Sequence, residues 1–372
     1  MERRKFIKTA TLAGVALGSA PWAAVRAAAT PTPQFTPDPA LGWRTFEILT
    51  RVDLPAPAEA ARVWVPLPSV REDDWIQPLG NLWETNAEAA HLVGDPRSGT
   101  TMVVANWVAG GRPYLEVASR FRVRDRAVDF RHRGQTAQPR LTAAERAWWT
   151  APTEMLPTDG IVLDTARDVT RGARGDEAKA RALYAFIVDH TARNPQTRGC
   201  GVGDIRGMLE AGNLSGKCAD LNALYVGLAR SLGIPARDVY GLRVADSRFG
   251  YKSLGKSGVV TKAQHCRAEV WLEAWGWVPV DPADVRKVIL EEPPGNLDRR
   301  DAKVQVVAER LFGSWEMNWL AYNFGHDVML PGSAGAALPF LMYPQGEIGG
   351  RRLDSLDPDG FRYTITSREI GA

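Results

Sequence analysis

The 372-residue sequence predicts an α+β fold in which a strand-rich first part leads into a core of helices followed by paired strands. Three observations carry this. Over residues 41–140, short β-branched and apolar stretches are punctuated by Pro and Gly. Over residues 141–235, apolar residues recur at helical spacing. After that the pattern returns to strands, "ARDVYGLRV" and "HCRAEVWLEAWGWVPVDP", the second folded about a turn near Trp275-Gly276.

Composition sets the limits. A chain that is 45% hydrophobic with 13 Trp can bury a large core and more than one domain. The net charge is +3, but residues 1–29 hold five basic residues against one acid, so the remainder is close to neutral. No Lys/Arg stripe interleaved with aromatics is present, and a nucleic-acid partner is not expected.

Residues 1–29, "MERRKFIKTATLAGVALGSAPWAAVRAAA", have a charged head, an apolar run Ala10–Ala20 and small residues at Ala27–Ala29. That is the layout of an export signal. "RRKFIK" resembles the twin-arginine signature, with an ordinary secretion signal or an uncleaved anchor as the alternatives. The run is too short and too rich in Ala and Gly for a firm membrane span. The expectation is a bacterial protein exported folded by the twin-arginine translocation machinery, periplasmic, with no stable span in its mature form.

Residues 30–40, "TPTPQFTPDPA", are Pro-rich and read as a linker. In residues 41–140, "WRTFEILTRVDLP" alternates and stops at Pro55, "ARVWVPLPS" is closed by prolines, and "TTMVVANWV" and "YLEVASRFRVRD" read the same way. Several short strands between Pro/Gly turns predict an N-terminal β-sandwich.

Residues 141–300 form the predicted core. Thr142 can cap a short helix, and "GDEAKARALYAFIVDHTARNP" places Ala180, Leu183, Tyr184, Ile187 and Val188 on one helical face before Pro195 stops it. "SGKCADLNALYVGLARSLGIPAR" predicts an amphipathic helix, with Leu221, Leu224, Tyr225, Leu228 and Leu232 at helical spacing and Gly233-Ile234-Pro235 ending it. Residues 301–372 read as a C-terminal, strand-containing extension packing on the core.

The chain has three cysteines, Cys200, Cys218 and Cys266. An odd count in an oxidising compartment leaves at least one thiol free unless chains pair, and this is not a disulfide scaffold. Cys218 stands at the first turn of the predicted helix, where open backbone N–H groups and the helix dipole favour a thiolate. His265 opens a strand and Asp281 ends the next. A thiol nucleophile needs a base, and the base needs a group that orients it; Cys, His and Asp are the residue types for that task.

The region around these residues, about Asp176 to Val285, resembles the transglutaminase-like core of the papain-type cysteine-enzyme superfamily. "GKCADLNALYVGLARSLGIPARDVYG" matches its Gly-x-Cys helix ended by Gly-Ile-Pro-Ala-Arg, and "HCRAEVWLEAWGWVPVDP" matches its His-x-x-x-Glu-Val and Gly-Trp-x-x-x-Asp-Pro elements. The resemblance implies a papain-like core in which a helix carrying the cysteine packs on an antiparallel sheet. Cys218 would be the nucleophile, His265 the base and then acid, and Asp281 the orienting carboxylate. The activity implied is acyl transfer through a thioester, as a peptidase or amidase on a peptide, protein or cell-wall peptide. The alternatives are a protein-glutamine transglutaminase, which passes the acyl group to an amine, and a non-catalytic peptide- or wall-binding protein that retains the fold. "VWVPLP" at Val63–Pro68 also resembles the domain that precedes this core in exported bacterial members.

Further residues carry weaker expectations. Asn213 is within reach of an oxyanion role, or else turns the loop after Gly212. Trp271, Trp277 and Asn323 are candidates for lining the substrate cleft. Cys266, next to His265 in a strand, is expected to face the opposite way as a small buried hydrophobe. Cys200 is expected near the site, where a disulfide to Cys218 would silence it. Without a Cys-x-x-Cys pair no zinc site is expected, and neither metal nor organic cofactor is implied.

Overall fold

A computed structural model of the protein describes residues 33–132 and 140–371. The signal-like segment 1–29 lies outside the described residues. The predicted linker is partly described, and there it is anchored: Phe35 is buried, its ring 5.1 Å from that of Phe249 and 5.7 Å from that of Tyr251. Asp38 N–H donates to Asp125. One aromatic in a Pro-rich run is enough to tie it to a core.

The strand-rich part contains β1 (Arg44–Asp53), β2 (Ala61–Pro66), β3 (Ile76–Thr85), β4 (Ala89–Gly94), β5 (Thr101–Trp107), β6 (Tyr114–Val123) and the short β7 (Arg126–Ala127). Along β1 the inward positions Phe46, Ile48, Thr50 and Val52 alternate with more exposed ones, as the two-residue period of a strand requires. Between the two sheets of this region lie Val52, Val63, Val65, Val103, Leu115 and Val117. This is the predicted sandwich.

The core follows with α1 (Ala143–Thr150), α2 (Gly160–Val169), α3 (Asp176–His190), β8 (Ala192–Arg193), α4 (Ile205–Glu210), β9 (Ser215–Gly216) and α5 (Cys218–Ser231). It continues with β10 (Ala236–Arg243), β11 (Gly258–Val259), β12 (Gln264–Leu272), β13 (Gly276–Val280), α6 (Pro282–Glu291) and α7 (Ala302–Arg310). Thr142 and Glu145 form a reciprocal capping box on α1. The buried residues of α3 are the five that periodicity selects. Helix α5 departs from expectation: Cys218 to Arg230 are all buried, so it is a central helix with no solvent face. It packs on β10 and β12 and is flanked by α2, α3, α4 and α6.

The C-terminal part comprises β14 (Ser314–Trp315), β15 (Trp319–Asn323), β16 (Gln345–Ile348), β17 (Arg351–Arg352) and β18 (Arg362–Ile370). It is divided between both layers. Strand β15 completes the core sheet, in order β13-β12-β10-β15, whereas β18 pairs antiparallel with β1 and β16 with β2. The sandwich sheets therefore run β11-β18-β1-β6-β3 and β17-β16-β2-β5-β4. The expected extension on the core is corrected accordingly. The edges of β1 and β2 need partners, and the chain end supplies them. One apolar cluster joins Phe46 and Phe121 of the sandwich to Leu224 and Val270 of the core, so the described residues form a single compact unit.

Candidate active site

Cys218 is the first residue of α5, with Lys217 as N-cap. Its backbone is fixed from both sides. Asp220 accepts from the N–H groups of Lys217 at 2.9 Å and of Val202 and Gly203 at 3.0 Å, tying the helix start to the 200–203 loop. Ala219 N–H donates to Cys200 O at 2.9 Å. Gly201 is required there: its φ is +89°, and a Cβ would fall 1.9 Å from Asp220 Oδ2.

His265 lies one residue into β12, opposite Gly241 in β10. The tight turn before Gly276 pairs β13 with β12 so that Val280 faces Ala268, and this carries Asp281 back towards His265. Asp281 leaves the sheet as the N-cap of α6. Its Oδ1 accepts from Asp284 N–H at 3.1 Å, while Oδ2 lies 2.8 Å from His265 Nε2. With Nε2 engaged, Nδ1 is the ring nitrogen left for the thiol. His265 is 3% exposed and Asp281 0%, so their interaction is little screened by water.

Four neighbours complete the arrangement. Asp284 Oδ1 lies 3.4 Å from His265 Nε2 and pairs with Arg243. Arg267 Nε lies 3.5 Å from Asp281 Oδ2, with the guanidinium 4.7 Å from the Trp319 ring centre. Asn222, one turn beyond Cys218 on α5, donates to Cys266 O at 2.8 Å and to Asp281 Oδ1 at 3.3 Å.

Burial opposes charge on His265, but Asp284 and Asp281 outweigh it and raise the imidazole to about 10. The Cys200 and Cys266 thiols, then His265, hold the Cys218 thiol well below its ordinary range despite burial. Contact with Cys218 drives Cys200 the other way, and burial does so for Cys266. Charge counting agrees. Arg243, Arg267 and a protonated His265 face the carboxylates of Asp281 and Asp284, and a Cys218 thiolate brings this buried group to neutrality.

His265, Asp281 and Asp284 place ligand atoms within 4.8 Å of one another. Both carboxylates already face Arg243 and Arg267, whose charges repel a metal cation. The donor set does not fit a metal.

Cys218, His265 and Asp281 thus come together, and several other expectations are corrected. Cys266 is more than a small buried hydrophobe: its buried thiol interacts with those of Cys200 and Cys218. Asn213 is exposed and turns the loop, its Oδ1 accepting from Ser215 N–H at 3.2 Å and Ser215 Oγ at 2.7 Å. Trp271 stands six residues along β12 from His265, roughly 20 Å at about 3.3 Å per residue. It meets Trp277 edge to face, and Trp277 lies beneath Arg237 on a separate cavity with Glu269 and Arg126. Asn323 is buried, donating to Leu341 O and accepting from Gly325 N–H. None of these lines the cleft beside Cys218.

Asp284 and Asn222 were not singled out from the sequence, yet both had a signal. Asp284 follows Asp281 by three and Asn222 follows Cys218 by four, the spacings that share one helical face. Arg243 had none, because only the sheet brings it to the site.

The sequence model of the transglutaminase-like superfamily matches residues 163–282. An uncharacterized protein of Haemophilus influenzae (strain ATCC 51907 / DSM 11121 / KW20 / Rd) is 31% identical over 342 residues, covering 87% of this chain and 91% of that one. A candidate cysteine protease from Cytophaga hutchinsonii, known from its crystal structure, is similar over 89% of this chain and 92% of its own, with 12% identity and a TM-score of 0.54. That likeness shows a shared fold. The periplasmic domain of TgpA from Pseudomonas aeruginosa aligns with 16% identity and a TM-score of 0.33, over 70% of this chain and 98% of that domain.

Proposed function

Because the chain belongs to the transglutaminase-like superfamily, we propose that it is an exported, cysteine-dependent peptidase or amidase working through Cys218, His265 and Asp281. The observation that carries this is the buried His265–Asp281 pair beside a cysteine on the first turn of α5. The Cys218 thiolate attacks an amide carbonyl carbon, and the C–N bond breaks as His265 Nδ1 gives its proton to the leaving amine. A thioester remains. Water then attacks it, His265 takes the water's proton, and the released acid restores the thiolate and imidazolium. The Cys218 N–H sits at the first helical position, where it has no intrahelical carbonyl to bond, and is a donor for the developing oxyanion.

Water is favoured over an amine as acceptor because it vastly outnumbers any amine in an exported setting. Export itself rests on the twin-arginine-type opening, which places the substrate, a peptide of a protein or of the cell wall, in the periplasm. Among the described residues no helix is long and apolar enough to cross a membrane.

The test is the rate at which iodoacetamide alkylates Cys218 in the native protein, read by peptide mass spectrometry from about pH 4 to 9 and compared with His265→Ala, since a free thiol titrates near ~8.5. Fast labelling at low pH that collapses in the variant supports the ion-paired nucleophile. An ordinary thiol profile unchanged by the substitution overturns it.

A further inference from the structure

The cleft beside Cys218 has a volume of about 830 Å³ and is lined by seven Lys or Arg side chains and a single acid, Glu291. In a chain with 46 basic and 43 acidic residues this is a local concentration of charge. Part of it is used internally. Arg193 and Lys287 share Glu291, Arg198 pairs with Asp354, and Arg243 with Asp284. Lys217, Lys256 and Lys262 have no ion pair among the described residues. They come from separate segments: Lys217 caps α5 immediately before Cys218, whereas Lys256 and Lys262 flank β11. Tyr343, Leu356 and Phe361 supply an apolar lining between these charges.

Unpaired cations around a partly apolar cleft raise the local concentration of anions and favour ligands that bring carboxylates to the rim. We propose that this cleft selects acidic peptides, with carboxylates close to the bond presented to Cys218. The inference rests on the cysteine-enzyme reading for the bond that is cut, but the charge selection can be measured without turnover.

The experiment uses the full chain carrying Cys218→Ser and fluorescein-labelled peptides read by anisotropy. Asp/Glu peptides are compared with isosteric Asn/Gln peptides, each with a free or an amidated C-terminus. The expected result is about tenfold tighter binding of the acidic peptides at low salt, shrinking as ionic strength rises. Adding Lys256→Gln and Lys262→Gln, both exposed, should reduce the preference to about twofold while leaving Asn/Gln peptides unchanged. Loss of the preference on Asp/Glu to Asn/Gln exchange places the carboxylates on side chains; loss on amidation places them at the chain end. Binding that neither Asn/Gln exchange nor amidation weakens, no binding of any peptide, or a carboxylate preference that survives the lysine substitutions overturns the proposal. If Cys218 proves unreactive while the preference is found, the acyl-transfer reading falls and the acidic-peptide cleft stands.

Discussion

Asp281 and His265 are joined by a residue with two duties: one oxygen of Asp281 caps helix α6, and the other lies 2.8 Å from His265 Nε2. The orientation of the imidazole is thereby coupled to a helix start. Because Pro282 opens α6 with φ preset for a helix, the carboxylate direction is fixed by backbone as well as by packing.

Asp281→Asn separates these duties. Asn is as good an N-cap as Asp, so the fold should survive with a loss of about 1 kcal/mol or less from the cap. The charge on His265 loses its nearest partner, and alkylation of Cys218 near pH 5 should fall by about tenfold or more. Asp284→Asn should reduce it less, its oxygen being 3.4 Å away. Equal rates in wild type and Asp281→Asn would show that the carboxylate does not control the pair.

The pH dependence has a defined sign. The folded His265 imidazole is raised from 6.5 to about 10. Its stabilising contribution is therefore complete below pH 6.5 and declines as pH rises through about 10. In urea titrations the advantage of wild type over His265→Gln should shrink across that interval. The Cys218 thiol is displaced downward, so its thiolate should persist on the acid side of an ordinary thiol's range. An advantage that grows with pH would contradict the charged pair.

The three thiols give a third prediction. Cys200 and Cys266 are the leading influences that lower the Cys218 thiol. Cys200→Ala and Cys266→Ala should each slow Cys218 alkylation at low pH by several-fold while leaving the rate above pH ~9 nearly unchanged, where thiolate forms unaided. Peptide mapping of the alkylated protein reads this directly.

Gly241 offers a test of geometry. It lies opposite His265 in the sheet, and a Cβ there would meet Leu320 O at 2.1 Å and the Trp319 ring at 2.3 Å. Trp319 Nε1 in turn donates to His265 O at 2.9 Å. Gly241→Ala should cost about 1–3 kcal/mol through overpacking, seen as a lower urea midpoint, and should slow Cys218 labelling. Unchanged stability would mean that the sheet yields there.

By itself the sequence determined what local rules reach. The capping box at Thr142, the buried face of α3, the end of α5 at Gly233-Ile234-Pro235 and the turn near Trp275 follow from spacing and backbone preference, because each depends on neighbours within a few residues. Cys218, His265 and Asp281 were legible by a different route: helix start, strand start and strand end are positions set by local structure, but it was the resemblance to the transglutaminase-like core that gave the three residues their roles. Tertiary structure decided the rest. It buried α5 on every side, sent β16 and β18 to the sandwich sheets, brought Arg243 and Cys266 to the site, and left Trp271, Trp277, Asn213 and Asn323 away from the Cys218 cleft. These depend on which distant segments pair and on burial, and burial also moves the proton affinities of His265 and Cys218. No period or motif in the chain encodes a neighbour that arrives from across the sheet.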